Sequence, residues 1–204
     1  LRFGGLQAYH GPVQHVREFA RRRKLIEGSA AKVRRTLEVL ERDGLITETV
    51  TGAGTASYRF EMESGVFTEL QVGTYVFMDT DYTDNQAEDG GPFEDFEQSL
   101  FVYTQVVSRP APQRVLTDAS NRAISLDSGL PLVRDTPGLE YEKASDGHGR
   151  LILHDMNLDV QVGDKFFLIP AHCNTTANLY DHYLGIRDGR VETVWPISSR
   201  GPGN

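Results

Sequence analysis

The sequence predicts an α/β plus all-β chain, a helical head flanked by strands and followed by a β-rich body. Three observations predict it. Apolar residues recur at helical spacing up to Gly44 and at strand-like spacing after it. Charge divides in the same place: residues 14–43 carry nine Lys/Arg against five Asp/Glu, a net of +4, whereas the chain after Asp43 carries eleven against twenty-four, a net of −13. Turn signals such as Asp89-Gly90-Gly91-Pro92 and Asp146-Gly147-His148-Gly149 then punctuate the second part.

The elements follow in order. Leu1–Tyr9 is short, apolar and glycine-bearing, and reads as a buried strand ending in the turn His10-Gly11-Pro12. Val13, Val16, Phe19 and Ala20 lie at helical spacing. Ser29 is placed to cap a second helix with a Val33, Leu37, Leu40 stripe, closed by Gly44. Beyond it, strands are expected over Leu45–Val50, Tyr58–Met62, Phe67–Met78, Phe101–Ser108, Arg114–Thr117, Leu151–Leu153 and Lys165–Ile169.

Composition narrows the function classes. The 204 residues include 39% hydrophobic and 25% charged side chains, which suits a packed core. No apolar run approaches the ~20 residues needed to cross a bilayer, and the start lacks a basic segment followed by an apolar stretch. Together these point to the cytoplasm and away from membranes. The single cysteine, Cys173, excludes an internal disulfide and a multi-cysteine zinc site. A net charge of −8 argues against nucleic acid as the partner. The chain begins with leucine, which points to a piece of a longer or processed protein.

Lys32–Ile46 imitates a DNA-reading helix, but a winged helix needs a third helix before it and the acidic body would repel phosphate. The plainer reading is a solvated helix on an α/β layer, with Arg21-Arg22-Arg23-Lys24 as a wet face. Thr51-Gly52-Ala53-Gly54-Thr55 follows a strand. Its N–H groups and threonine hydroxyl suit a phosphate, although most such loops are plain turns. In Pro170–Thr176, an extended backbone would turn His172 and Asn174 to one side and Cys173 to the other. An imidazole nitrogen with an amide oxygen suits a divalent ion, and the alternative is a hydrogen-bonded loop. The acidic run Asp79–Glu97 lacks calcium-loop spacing and reads as a solvated, partly mobile loop.

These motifs resemble, in order, the C-terminal portion of the D-threonine aldolase / D-serine dehydratase-like enzymes, pyridoxal-phosphate enzymes with the alanine-racemase-type fold. The matching stretches are GLQAYHG at 5–11, VTGAGTASY at 50–58, TELQVGTYVFMDTDY at 68–82, VVSRP at 106–110, SDGHG at 145–149, VGDKFFLIPAHCNTTANLYD at 162–181 and VWPISSRG at 194–201. The resemblance implies that residues 1–79 are the last strand–helix units of a (β/α)8 barrel and that 80–204 form a β-rich, metal-bearing domain. It implies that Gly54 and Thr55 bind the phosphate of pyridoxal 5'-phosphate, with Tyr9 lining the cofactor and Tyr75 near its ring. His172 and Asn174 would ligate Mn, Mg or Zn, with His172 catalytic and Asp146 and His148 near the site.

The implied substrate is a small D-β-hydroxy amino acid, and the implied enzyme a homodimer. Retro-aldol cleavage to glycine and an aldehyde is the expected reaction, with D-serine or D-hydroxyaspartate dehydration as the alternative. Two positions depart from the family pattern. Asn174 stands where Asp or Cys is usual, and Gly147 where Glu is common. Lys24, Lys32, Lys143 and Lys165 all lie outside a motif matching the family's Schiff-base lysine, so the chain alone is expected to be inactive. The competing classes are a non-catalytic metal- or partner-binding β domain and the winged-helix regulator.

Overall fold

The computed structural model describes residues 3–201 and divides the chain into two compact units, one ending at Glu97 and the other starting at Gln98. The expected division at 79/80 falls inside the first unit.

The first unit is built on three short parallel strands, β1 (Leu6–Gln7), β2 (Val50–Gly52) and β3 (Glu69–Leu70), adjacent in chain order. Leu6 pairs with Val50, and Thr51 with Glu69. Parallel neighbours need a long crossover, which is helical in both cases: α1 (Phe19–Arg42) joins β1 to β2, and α2 (Tyr58–Ser64) joins β2 to β3. Of the strand expected over Leu1–Tyr9, only Leu6–Gln7 forms, and Leu1 and Arg2 lie outside the described residues. Val13 and Val16 belong to a 3-10 turn, Gly11–His15, and its C-terminal boundary.

The helix start expected at Ser29 is absent, because α1 already begins at Phe19. Ser29 lies within α1, where its hydroxyl donates to the Leu25 carbonyl one turn back at 3.1 Å and so caps nothing. The helix buries Arg22, Ile26, Ala30 and Val33, a single stripe at spacings of three and four. Gly44 does end it, at a φ of +76°, with Leu45 N donating to Leu40 O at 2.8 Å. The expected strand over Leu45–Val50 shrinks to its last residue, and Ile46 is 84% exposed.

Tyr58–Met62 is helix, not strand. Its alternating apolar residues suggest period two, yet Phe60 alone reaches the core, against Val13, Ile26 and Phe19, while Met62 faces solvent. Arg22 also overturns its expected role on a wet face: at 1% exposed it is among the largest fully buried side chains. Its guanidinium donates to the carbonyls of Ala56 (2.9 Å), Val16 (2.7 Å), Arg17 (3.0 Å) and Gln86 (2.7 Å). Burial, then the Arg17 charge, pull its pKa below the usual guanidinium value.

The acidic run is likewise structured. The Asp79 side chain accepts from Tyr82 N and caps α3 (Thr80–Thr83). Asn85 and Phe93 are buried, Asp81 pairs with Arg17 and His15, and Asp95 pairs with Arg59.

The second unit is an antiparallel sheet of β4 (Val102–Ala111), β5 (Arg114–Thr117), β6 (Leu132–Val133), β7 (Leu139–Ala144), β8 (Gly149–Leu153) and β9 (Lys165–Ile169), in the order β6-β9-β4-β5-β8-β7. The edge strands β6 and β7 approach one another, so the sheet nearly closes. Alternation along β4 puts Val102, Thr104 and Val106 inside and Tyr103 and Gln105 outside. Val106, Val115, Ile124, Tyr141, Leu151 and Leu168 centre the core, each large side chain contributing roughly 1.5–3 kcal/mol by burial. The short helix α4 (Cys173–Ala177) follows β9, and a separate hairpin, β10 (His182–Arg187) and β11 (Arg190–Pro196), turns at Asp188-Gly189 with positive φ at both residues. The sequence reading passes over β6, β7 and this hairpin, although Asp-Gly is a strong hairpin signal. No described helix is long and apolar enough to cross a membrane.

Candidate functional site

In the first unit, the residues singled out from the sequence follow the C-terminal ends of the parallel strands. Tyr9 follows β1, Gly54 and Thr55 follow β2, and Tyr75 follows β3. Loops at that end are where parallel α/β folds bind ligands. Two of these residues are in contact: Tyr75 N donates to Thr55 Oγ1 at 3.1 Å. Tyr9 is half-exposed, and its phenol is raised above its ordinary pKa by burial and then by the charge of Glu61.

The glycine loop is held mainly from within. Gln14, on the 3-10 turn, is 1% exposed, donates Nε2 to Ser57 Oγ at 2.8 Å and accepts from Ala56 N at 3.1 Å. Ser57 N and Tyr58 N both donate to Gly54 O, and Gly54 N lies 3.4 Å from Ser57 Oγ. A Cβ on Gly54 would fall 2.4 Å from Gln14 Oε1. A side chain here would displace the Gln14 amide, independently of any ligand. Thr55 is 1% exposed and accepts from Tyr75 N, and a hydroxyl that accepts still has its hydrogen to donate.

Ser57 Oγ also donates to Glu61 Oε1 at 3.0 Å, while Glu61 Oε2 is buried without a partner. Burial dominates and pushes the Glu61 pKa from 4.5 up to about 7, against the opposing hydrogen bonds of Ser57 and its own backbone.

In the second unit, His172 and Asn174 do not sit on one extended stretch as the spacing suggests. His172 is extended (φ −139°, ψ 112°) but forms the N-terminal boundary of α4, and Asn174 is already inside that helix. Cys173 is buried, as expected of a small core residue, and its Sγ lies 3.4 Å from Asn174 Oδ1. The partner the sequence reading missed is Asp127, 45 positions away: its Oδ2 is 2.7 Å from His172 Nδ1. Asp127 Oδ1 accepts from Ser125 Oγ at 2.7 Å and from Thr175 Oγ1 at 2.9 Å. Desolvation alone would raise the Asp127 pKa, but hydrogen bonds from His172, Ser125 and Thr175 outweigh it and hold the carboxyl below its usual range.

Asp146 and His148 sit in the β7–β8 turn. There Asp146 accepts from Asn121 Nδ2 at 3.3 Å, and the His148 carbonyl accepts from Ser145 N at 2.8 Å. Among the described residues no three of His, Cys, Asp and Glu cluster to cage a metal. The two ligand candidates read from the sequence here are the His172 imidazole and the Asn174 amide, whose oxygen accepts from Cys173 Sγ. An imidazole nitrogen and an amide oxygen are donors of the kind that suit a divalent ion with water in its other positions.

A parallel βαβαβ unit with a buried glycine loop, followed by a nearly closed antiparallel sheet, has a counterpart among solved structures. The crystal structure of D-threonine aldolase from Filomicrobium marinum superposes with a TM-score of 0.92 at 39% identity, covering 98% of this chain and 53% of that one. Residues 99–186 match the family described as "Putative serine dehydratase domain". Over its length the chain is similar to the D-threonine aldolase / D-serine dehydratase-like enzymes, as its sequence motifs imply.

Two curated relatives are similar over nearly all of it. The 3-hydroxy-D-aspartate aldolase of Paracoccus denitrificans (strain Pd 1222) is 42% identical over 205 residues, covering 100% of this chain and 52% of the relative. The D-threonine aldolase of Arthrobacter sp is 41% identical over 201 residues, covering 98% and 52%. The chain thus spans about half the length of the curated relatives it matches.

Proposed function

We propose that the chain is the C-terminal portion of a pyridoxal-phosphate- and divalent-metal-dependent lyase that splits small D-β-hydroxy amino acids into glycine and an aldehyde. The observation that carries this reading is the correspondence with two aldolases over essentially the whole chain. In this reading the three parallel strands are an arc of a (β/α)8 barrel, residues 1–79, and residues 80–204 are the metal-bearing domain of a cytoplasmic homodimer.

Pyridoxal phosphate, when bound, supplies an electron sink for the pair released at Cα. The protein supplies binding and orientation. Thr55 would donate its hydroxyl hydrogen to the phosphate beside Gly54, with the Tyr75 N–H orienting that hydroxyl. Tyr9 lines the cofactor, and Tyr75 lies near its ring. His172 and Asn174 would hold Mn, Mg or Zn, which would supply Lewis-acid chemistry for the substrate's β-hydroxyl, with His172 as the catalytic residue of this unit. Asn174 is a neutral donor and binds a cation less strongly than the Asp or Cys usual at that position. Asp146 and His148 approach the same region in this reading. No lysine of residues 1–204 is assigned the covalent bond to the cofactor, so the isolated chain is inactive in this reading.

Dehydration of D-serine or D-hydroxyaspartate is the second reading, favoured by the serine dehydratase description of the family matched over residues 99–186. The test is expression of the chain with its upstream coding sequence, followed by assay with D-threonine and D-serine in the presence and absence of divalent metal. Metal-dependent glycine from D-threonine supports the aldolase. Pyruvate and ammonia from D-serine, with no glycine from D-threonine, moves the assignment to the dehydratase. A protein that binds no cofactor overturns both.

A further inference from the structure

We propose that Asp127 is a positioning residue that sets the tautomer of His172, keeping the proton on Nδ1 so that the Nε2 lone pair is presented to a divalent cation. This rests on the reading of His172 as a metal ligand.

The geometry is specific. Asp127 Oδ2 lies 2.7 Å from His172 Nδ1, closer than the 3.4 Å from Ser128 Oγ to the same nitrogen. The carboxylate is itself held on its other oxygen by two hydroxyls, Ser125 Oγ at 2.7 Å and Thr175 Oγ1 at 2.9 Å. The carrier loop is tied to the helix that His172 opens, because Ser125 N donates to Thr176 Oγ1 at 3.2 Å. Ring, carboxylate and loop are therefore anchored to one another through α4. An ionised carboxylate only accepts, so the nitrogen facing it must carry hydrogen, and in the neutral ring the other nitrogen is left with a lone pair. A carboxylate behind a histidine in this way fixes ring orientation and strengthens the ring as a ligand.

The two hydroxyls on Oδ1 predict an unusual outcome for the isosteric change Asp127→Asn. Both hydroxyls donate to Oδ1, so the amide oxygen takes that position and the NH2 group faces His172 Nδ1. A donor there forces the proton to Nε2, the nitrogen a metal needs free.

The experiment has two readouts on the full chain, neither of which is catalysis. Two-bond proton–nitrogen NMR of the metal-free protein reports the His172 tautomer. Titration with Zn2+ alone, and separately with Mn2+ alone, reports affinity. The unsubstituted protein is expected to show protonated Nδ1. Asp127→Asn should invert the tautomer and Asp127→Ala should mix the two, with metal binding weakened about 10- to 100-fold in each. His172→Ala should abolish binding at this site. If both Asp127 variants keep the Nδ1–H tautomer and full affinity, the positioning role is overturned. If the tautomer responds to Asp127 but His172→Ala binds metal as well as the unsubstituted protein, the metal-ligand reading fails and takes the proposal with it.

Discussion

Gln14 donates its Nε2 hydrogen to Ser57 Oγ at 2.8 Å, joining the turn after the first strand to the glycine loop after the second. With Ala56 N donating back to Gln14 Oε1, the amide braces that loop from behind. The braced loop bears Thr55, so the stiffness of the proposed phosphate site depends on a residue outside any phosphate-binding motif.

Gly54→Ala tests that brace. The new methyl would lie 2.4 Å from Gln14 Oε1 and 2.5 Å from its Cδ. Gln14 is buried and bonded at both ends, so it yields only by giving up hydrogen bonds. A loss of ~1–3 kcal/mol is expected by urea denaturation, and a smaller loss when the same change is made in a Gln14→Ala background.

Arg22→Met should be among the most damaging changes to the first unit. It removes the donor from four carbonyls, of Ala56, Val16, Arg17 and Gln86, that the guanidinium now serves. Charged hydrogen bonds contribute roughly 1.5–3 kcal/mol each, and the losses are not additive. The expected cost is at least ~3 kcal/mol. Arg22→Lys should not restore it, because an ammonium cannot span the fork. Equilibrium unfolding of both variants is the check.

Glu61 makes stability depend on pH. Its folded pKa is raised from 4.5 to about 7, so the folded state holds this proton more tightly than the unfolded chain does. The contribution is fully present below pH ~4.5 and is lost as pH rises through about 7, amounting to ~3 kcal/mol across the window. Glu61→Gln should flatten that fall and be the more stable protein at pH 8. Unfolding free energies from pH 5 to 8 would decide it. Parallel curves for the two proteins would contradict the assignment.

Gly149→Ala should destabilise the second unit. A Cβ there would meet Ala119 O at 2.3 Å and the Tyr141 ring at 2.7 Å, and Tyr141 cannot swing away without giving up its 2.7 Å bond to that same carbonyl. A loss of ~3 kcal/mol or more is expected. Near-ultraviolet circular dichroism of the buried tyrosine during thermal unfolding would register it.

The sequence by itself determined what depends on neighbours along the chain. The alternation of Val102, Thr104 and Val106 and the turn at Asp146–Gly149 are local, and each is present, whereas the strand period expected from Gly44 onward dominates only from β4. The family likeness was legible for the same reason, since its motifs are contiguous strings. Tertiary structure decided the rest. Tyr58–Met62 alternates like a strand, but it is helix because Phe60 packs onto Ile26 and Val13. Arg22 looks like one more surface charge in a run of four, but the fold brings carbonyls from residues 16, 17, 56 and 86 around it. His172 was visible as a candidate, while Asp127 was not: a lone carboxylate 45 positions away carries no local signal, and its 2.7 Å contact with the imidazole exists only because the chain returns to α4.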